Sequence, residues 1–207
     1  MGGRLGVVLA AGAGSRMGTP KALLRTQDGE AWVAFAARML AEGGCPDVVV
    51  VLGASAEAAA ACLPPEVSTT VATRWAEGLG ESLAAGIRAT QAHPRHPDSI
   101  VIHLVDVPGV TADAIRRTVE RGGDGLAVLA RATYDGVPGH PVVIGREHWD
   151  GVLSEVNGDR GAWQYLTEHD CLTVECGDVA DGRDVDTPDS PYPRAQRRPR
   201  SRLTSGN

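Results

Sequence analysis

The chain of 207 residues carries 20 lysines and arginines against 26 aspartates and glutamates, and 43% of its residues are apolar. That mixture supports one packed domain with a polar surface and excludes a chain disordered along its length. No stretch approaches the ~18 consecutive apolar residues of a membrane span, and the net charge of −6 argues against a nucleic-acid partner.

Taken in order, the first apolar run is Gly6 to Ala10, followed directly by a glycine-rich turn with the cations Arg16 and Lys21. This is not the pattern of a secretory leader, so neither membrane nor export is expected and the cytoplasm is the expected location. A helical stripe of Trp32, Phe35, Met39 and Leu40 ends at Gly43 and Gly44, and strands are expected at Val48 to Leu52 and, more weakly, Val67 to Val71. Leu83 and Ile87 belong to a second helix, and Ile100 to Val105 to a further strand. The next helix starts at the N-cap Thr111, carries Ile115 and Val119 on one face, and stops at Gly122. Strands at Leu126 to Ala130 and Val142 to Ile144, an amphipathic stretch with Trp149, Val152 and Leu153, and a strand near Leu172 to Val174 complete the series. Strands apolar on both faces and alternating with helices indicate an α/β fold with a mostly parallel sheet covered on both sides. The rhythm weakens after residue 130, and that half is expected to be a substrate-side insertion or edge.

The body is expected to be one domain over residues 1–189, with order lost near Pro188. Residues 190–207 hold Arg194, Arg197, Arg198, Arg200 and Arg202 and no acid, the composition of a solvated, disordered tail. The body is therefore more acidic than the whole, and any phosphate it binds must meet locally placed cations. Cys45, Cys62, Cys171 and Cys176 match no zinc spacing and read as reduced thiols.

The turn Leu9-Ala10-Ala11-Gly12-Ala13-Gly14-Ser15-Arg16-Met17-Gly18-Thr19-Pro20-Lys21 is the strongest local signal. Its glycines let backbone N–H groups face an anion, and Arg16 and Lys21 add the positive charge a triphosphate requires. A turn that merely packs strand on helix is the plainer alternative. A dinucleotide fingerprint starting at Gly12 would need glycine or alanine in place of Met17, and a Walker A loop would need Lys21 directly after Gly18.

Asp106-Val107-Pro108 follows the strand that ends at Val105, so a hard oxygen ligand suited to Mg²⁺ stands at the carboxyl edge of the sheet. Asp106 would equally start a proline-containing turn. Asp181, Asp184, Asp186 and Asp189 form a second acidic group, by itself compatible with a solvated loop. Trp75 to Leu83 leads into a helix and places Gly78 and Ser82 where an N-terminus meets anions or bases; a capped helix start serves the same residues. Gly139-His140-Pro141 fixes one imidazole, and Gly158-Asp159-Arg160-Gly161-Ala162 forms another polar turn. His93, His96, His103, His148 and His169 share no metal-like spacing and read as structural or surface residues.

Together these motifs resemble the MobA/MocA-like NTP transferases, and most closely the molybdenum cofactor cytidylyltransferase branch, whose opening consensus L-A-[AG]-G-x-[GS]-x-R-M-G-x-x-K is matched throughout residues 9–21. The resemblance implies a three-layer, Rossmann-like nucleotidyltransferase fold and transfer of CMP from CTP to the terminal phosphate of molybdopterin or its molybdenum form, with release of pyrophosphate. It implies nucleotide contacts from Leu9, Ala10, Ala11, Gly12, Ala13, Gly14, Ser15, Arg16, Lys21, Gly78, Ser82 and Asp106. It also implies Mg²⁺ on Asp106 and Asp186, with Arg16 and Lys21 acting on the leaving group. The acceptor falls to His140, Asp159 and Arg160, and a molybdoenzyme or its chaperone is an expected partner. The chain departs from the family pattern at Ala72 (asparagine), Glu81 (serine), Val107 (glutamine or methionine) and Trp163 (arginine). Those departures keep open GTP or another nucleotide with a different phosphorylated acceptor. An NAD(P)-dependent oxidoreductase or a cofactor-delivery protein on the same fold also stays open.

Overall fold

The computed structural model describes residues 3–156, 158 and 161–187. Seven strands, β1 (Arg4–Ala10), β2 (Asp47–Leu52), β3 (Ser68–Val71), β4 (Ser99–Leu104), β5 (Leu129–Tyr134), β6 (Val137–Gly145) and β7 (Leu172–Glu175), form one sheet in the order β3-β2-β1-β4-β6-β5-β7. Every pairing is parallel except those of β6, which runs antiparallel to both β4 and β5.

β1 has a buried residue at every position from Leu5 to Ala10, and β2 at every position from Val48 to Leu52, because helices cover both faces. On one face α1 (Trp32–Glu42) and α4 (Ala112–Gly122) pack on Val8, Val50, Val101 and Val143; on the other, α3 (Leu79–Gln91), α5 (Trp149–Glu155) and α6 (Trp163–Glu168) pack on Val7, Leu9, Ile102 and Ile144. A short helix α2 (Ala56–Ala60) follows β2. The start of α4 is fixed as its sequence dictates: the Thr111 side chain accepts a hydrogen bond from the Ala114 amide at 3.2 Å.

The residues after 130 form an edge side of the sheet rather than an insertion. β6 inserts beside β4 at the middle of the sheet, β5 lies beyond it, and β7 ends the sheet, so this half is as structural as the first. β5 begins at Leu129 rather than 126, and Leu126 is 40% exposed. The four cysteines are free thiols. Among the described residues no helix is long and apolar enough to cross a membrane. Pro188, the boundary at 189 and the arginine-rich tail lie outside the described residues.

Candidate active site

All parallel strands deliver their carboxyl ends to one edge of the sheet, where ligands of open α/β folds collect. β1 leads there into the glycine turn, which folds back on itself: the Met17 amide donates to the Gly14 carbonyl at 2.9 Å, and Gly14 has a φ of +63°. A Cβ on residue 14 would lie 2.0 Å from the Thr19 carbonyl oxygen, so glycine is required for the turn to close. Gly53, after β2, is equally constrained, because its missing Cβ leaves room for the Ala11 carbonyl at 2.4 Å and the Trp75 ring at 2.7 Å. That contact joins the glycine turn to the loop that precedes α3.

The turn ends in a single 3₁₀ turn, Lys21–Leu23, which carries the Lys21 side chain inward. Its ammonium donates to Asp186 Oδ1 at 2.6 Å and to Asp106 Oδ2 at 3.0 Å, while the exposed Arg16 donates to Asp186 Oδ2 at 3.1 Å. Asp106 stands two residues beyond β4, and the backbone holds Asp186 opposite it, since the Val185 amide donates to the Asp106 carbonyl at 2.9 Å. Burial alone would push the Lys21 ammonium pKa down, but the Asp186 hydrogen bond and the Asp106 charge outweigh it and the value is raised. The Lys21 hydrogen bond in turn holds the Asp186 carboxyl below its ordinary value. Of the other acids in that segment, Asp181 is turned away onto Arg183, and Asp189 lies outside the described residues.

A divalent cation fits this pair. Asp106 Oδ1 is buried and has no hydrogen-bond partner, and the carboxylates of Asp106 and Asp186 already converge on one positive charge. Among the described residues no group of three or more histidines, cysteines or acids is placed to hold a metal ion, so the protein would supply two carboxylates and leave the remaining positions to phosphate oxygens and water.

On the other side of the edge, Gly78 precedes α3, whose first amides have no side-chain cap, and Ser82 is buried in the first turn. Glu81 accepts from Arg74 Nε at 3.1 Å and from its terminal nitrogen at 2.6 Å, so the acid that departs from the family pattern is neutralised within the loop. Ala72 is buried, and its amide donates to the Leu52 carbonyl, carrying the pairing of β3 with β2 one residue further rather than presenting a polar group.

His140 is half-buried. Its Nδ1 lies 3.3 Å from the Ile102 carbonyl, and its own carbonyl accepts a 2.6 Å hydrogen bond from Tyr134. Burial pushes its imidazole pKa down, an effect partly opposed by the Ile102 carbonyl and the Asp106 charge. His140, Tyr134, Leu104, Val107 and Asp184 border a cleft of about 1550 Å³ that extends toward α1 and α4.

The structure thus brings Arg16, Lys21, Asp106 and Asp186 together, with His140 within electrostatic reach of Asp106; Gly78 lies on the loop whose Trp75 packs at Gly53 beside the glycine turn, and Ser82 is buried in the first turn of α3. Asp159 and Arg160 lie outside the described residues. The adjoining Gly161 packs on Leu79, and Trp163 is 56% exposed. His103, read from the sequence as structural or surface, is a structural residue wholly buried beside His140, with an unpartnered Nδ1 and an imidazole pKa pushed down to about 3, first by burial and then by His140. A histidine inside the apolar run Ile100 to Val105 was the available signal of that burial.

A tight glycine turn flanked by Arg16 and Lys21, with two carboxylates converging beside it at the carboxyl edge of a mixed α/β sheet, is the arrangement expected of the nucleotidyltransferase class. Residues 6–172 match the MobA-like NTP transferase domain, and the chain belongs to that family. It is 37% identical over 198 residues to nicotine blue oxidoreductase of Paenarthrobacter nicotinovorans, covering 90% of this chain and 94% of that protein. Rv0371c of Mycobacterium tuberculosis H37Rv superposes with a TM-score of 0.75 at 29% identity, over 90% of this chain and 93% of that one. A structure of Rv0371c in complex with manganese superposes with a TM-score of 0.67 at 26% identity, over 84% and 88%.

Proposed function

We propose that this protein is a divalent-metal-dependent nucleotidyltransferase that moves CMP from CTP to the terminal phosphate of molybdopterin or the molybdenum cofactor and releases pyrophosphate. The observation that carries the reading is Lys21, held between Asp106 and Asp186 at the mouth of the glycine turn. The turn amides, Arg16 and Lys21 orient the triphosphate and hold the negative charge that builds on the leaving pyrophosphate. Asp106 and Asp186 would hold magnesium or manganese, which supplies Lewis-acid polarisation of the α-phosphate when bound. The attacking phosphate monoester has a second pKa near ~6, so it arrives largely dianionic and no side chain has to act as general base. His140, whose imidazole feels the Asp106 charge, is assigned to the acceptor in this reading.

The test is pyrophosphate release with CTP, GTP, ATP or UTP and molybdopterin, with and without magnesium or manganese. Metal-dependent release with CTP, abolished in Asp106→Ala, is the expected result; release with none of the four nucleotides overturns the reading.

A second reading is favoured by the 37% identity to a protein named an oxidoreductase, together with Ala72, Glu81 and Trp163 at positions where the transferase pattern differs. In that reading the same turn grips the pyrophosphate of NAD(P)H. Oxidation of NADH or NADPH by a quinonoid dye, with no pyrophosphate formed from any nucleotide, would establish it over the transferase.

A further inference from the structure

Arg131 is a half-buried guanidinium in the middle of β5 that the site described above does not use. Its Nε is buried with no hydrogen-bond partner, no ion pair with a carboxylate is found for it among the described residues, and the neighbouring Cys171 thiol, its pKa raised by burial, is neutral. Withdrawing a guanidinium from water without an anion is costly, and this chain has 26 acids from which a partner could have been drawn.

Its position follows from strand register. Arg131 pairs with Val142 of β6, and Val142 pairs with Ile102 of β4, so the three share one row across adjacent strands. Val142 and Ile102 belong to the core face under α3, α5 and α6, and so does Leu129, two residues before Arg131; alternation puts Arg131 on that face. Two strand spacings, about 10 Å, separate its backbone from Ile102, whose carbonyl meets His140 Nδ1. His140 feels the charges of both Arg131 and Asp106. Trp75 and Leu79, from the loop that meets the glycine turn, pack on the same face, whereas the sequences of α5 and α6 contain no lysine or arginine.

We propose that Arg131 is a substrate-binding residue that receives the phosphate monoester of the second substrate, across His140 from the carboxylate pair. This rests on the transferase reading and adds a specific cation to its acceptor side. A charge left unpaired in the free protein is stabilising only once the anion arrives, so the residue trades stability for binding.

The experiment uses the full chain with pyrophosphate saturating the glycine turn, ¹⁵N-labelled arginine, and Arg131→Met and Arg131→Lys variants. The Arg131 Nε–H resonance, assigned by its loss in Arg131→Met, is followed during titration with inorganic phosphate and, at matched ionic strength, acetate. A saturable shift with phosphate and none with acetate is expected; no shift, or an equal one with acetate, overturns the proposal. Arg131→Met should melt at or above the wild-type temperature, and its acceptor KM should rise at least about tenfold with CTP affinity unchanged, a loss of roughly 1.4 kcal/mol, partly restored by Arg131→Lys. A lower melting temperature with unchanged acceptor KM would make Arg131 structural and refute the proposal. If Arg131→Met does not fold, Arg131→Lys carries the kinetic test. Failure here leaves pyrophosphate release from CTP intact in the wild type, whereas failure of the transferase reading removes that release in every variant.

Discussion

Replacing Lys21 with methionine tests the central arrangement, because it removes one charge and keeps most of the side chain's volume. The Lys21 side chain is 15% exposed, and its ammonium bridges the side chains of Asp106 (26% exposed) and Asp186 (42%) at 3.0 and 2.6 Å. Losing one partner of a fully buried pair costs ~3–5 kcal/mol, and an exposed pair contributes ~0–1 kcal/mol. This half-covered triad falls between those limits, at about 2 kcal/mol. For a chain of this size that is roughly 4–8 °C in Tm. The sign with pH follows from both partners. Asp186, depressed by its Lys21 bond, contributes stability above its ordinary 3.8 and loses it as pH falls through the lower folded value. Lys21, raised, contributes fully below 10.5 and loses it as pH rises through its higher folded value. The difference in Tm between wild type and variant should therefore be constant between those limits and shrink in acid. Magnesium or manganese, neutralising the carboxylates, should restore Tm in the variant without restoring turnover, which should fall about 10²- to 10³-fold for loss of a transition-state cation. Differential scanning calorimetry with and without metal, beside a pyrophosphate assay, decides it. A variant with unchanged Tm, no response to metal and normal turnover would refute the reasoning.

Gly14→Ala must move the turn, since its Cβ falls 2.0 Å from the Thr19 carbonyl oxygen at a φ of +63°; a destabilisation of about 1–3 kcal/mol and a clear loss of nucleotide affinity by calorimetry are expected, and wild-type affinity would show that the turn does not cradle phosphate. His103→Met removes a buried imidazole that resists protonation down to about pH 3, whereas the unfolded chain takes up that proton near its ordinary 6.5. Wild-type stability should therefore fall as pH drops below 6.5, and between pH 6.5 and 5 the variant should lose about 2 kcal/mol less by urea unfolding. Glu175 accepts hydrogen bonds from the Gly177, Gly136 and Asp135 amides and the Thr133 hydroxyl, which hold its carboxyl down at about 2. Glu175→Gln should lower Tm at neutral pH, and the difference should vanish as pH falls from its ordinary 4.5 toward 2.

The glycine turn, Asp106 and Asp186 were legible because each depends on local chain chemistry: a backbone that must turn left-handed at Gly14, or a carboxylate placed where a strand ends. Their meeting was not legible. Lys21 lies 85 residues from Asp106 and 165 from Asp186, and only the crossover from β1 to β4 and the Val185–Asp106 backbone bond bring the three together. The parallel half of the sheet could be read from strands apolar on both faces, but β6 carries the same apolar signature as its parallel neighbours. Hydrophobicity says that a strand is buried; it does not give its direction. That is why the second half could be read only as an insertion or an edge, and it is the edge side, made of β6, β5 and β7. α2, five residues rich in alanine, offers no periodic stripe to detect. Arg131 did carry a signal, a lone cation between Ala130 and Ala132 in a buried strand, but its lack of a carboxylate is a property of three strands at once. The same distinction bears on function. A nest of amides with Arg16 recognises linked phosphates whether they belong to a nucleoside triphosphate or to a dinucleotide, so the turn alone does not separate a transferase from an oxidoreductase. On the transferase reading proposed above, the carboxylate pair would make the difference: two acids converging on one cation, with Asp106 Oδ1 left unbonded, would set negative charge beside a bound triphosphate, and a divalent ion would have to join them for binding to be favoured.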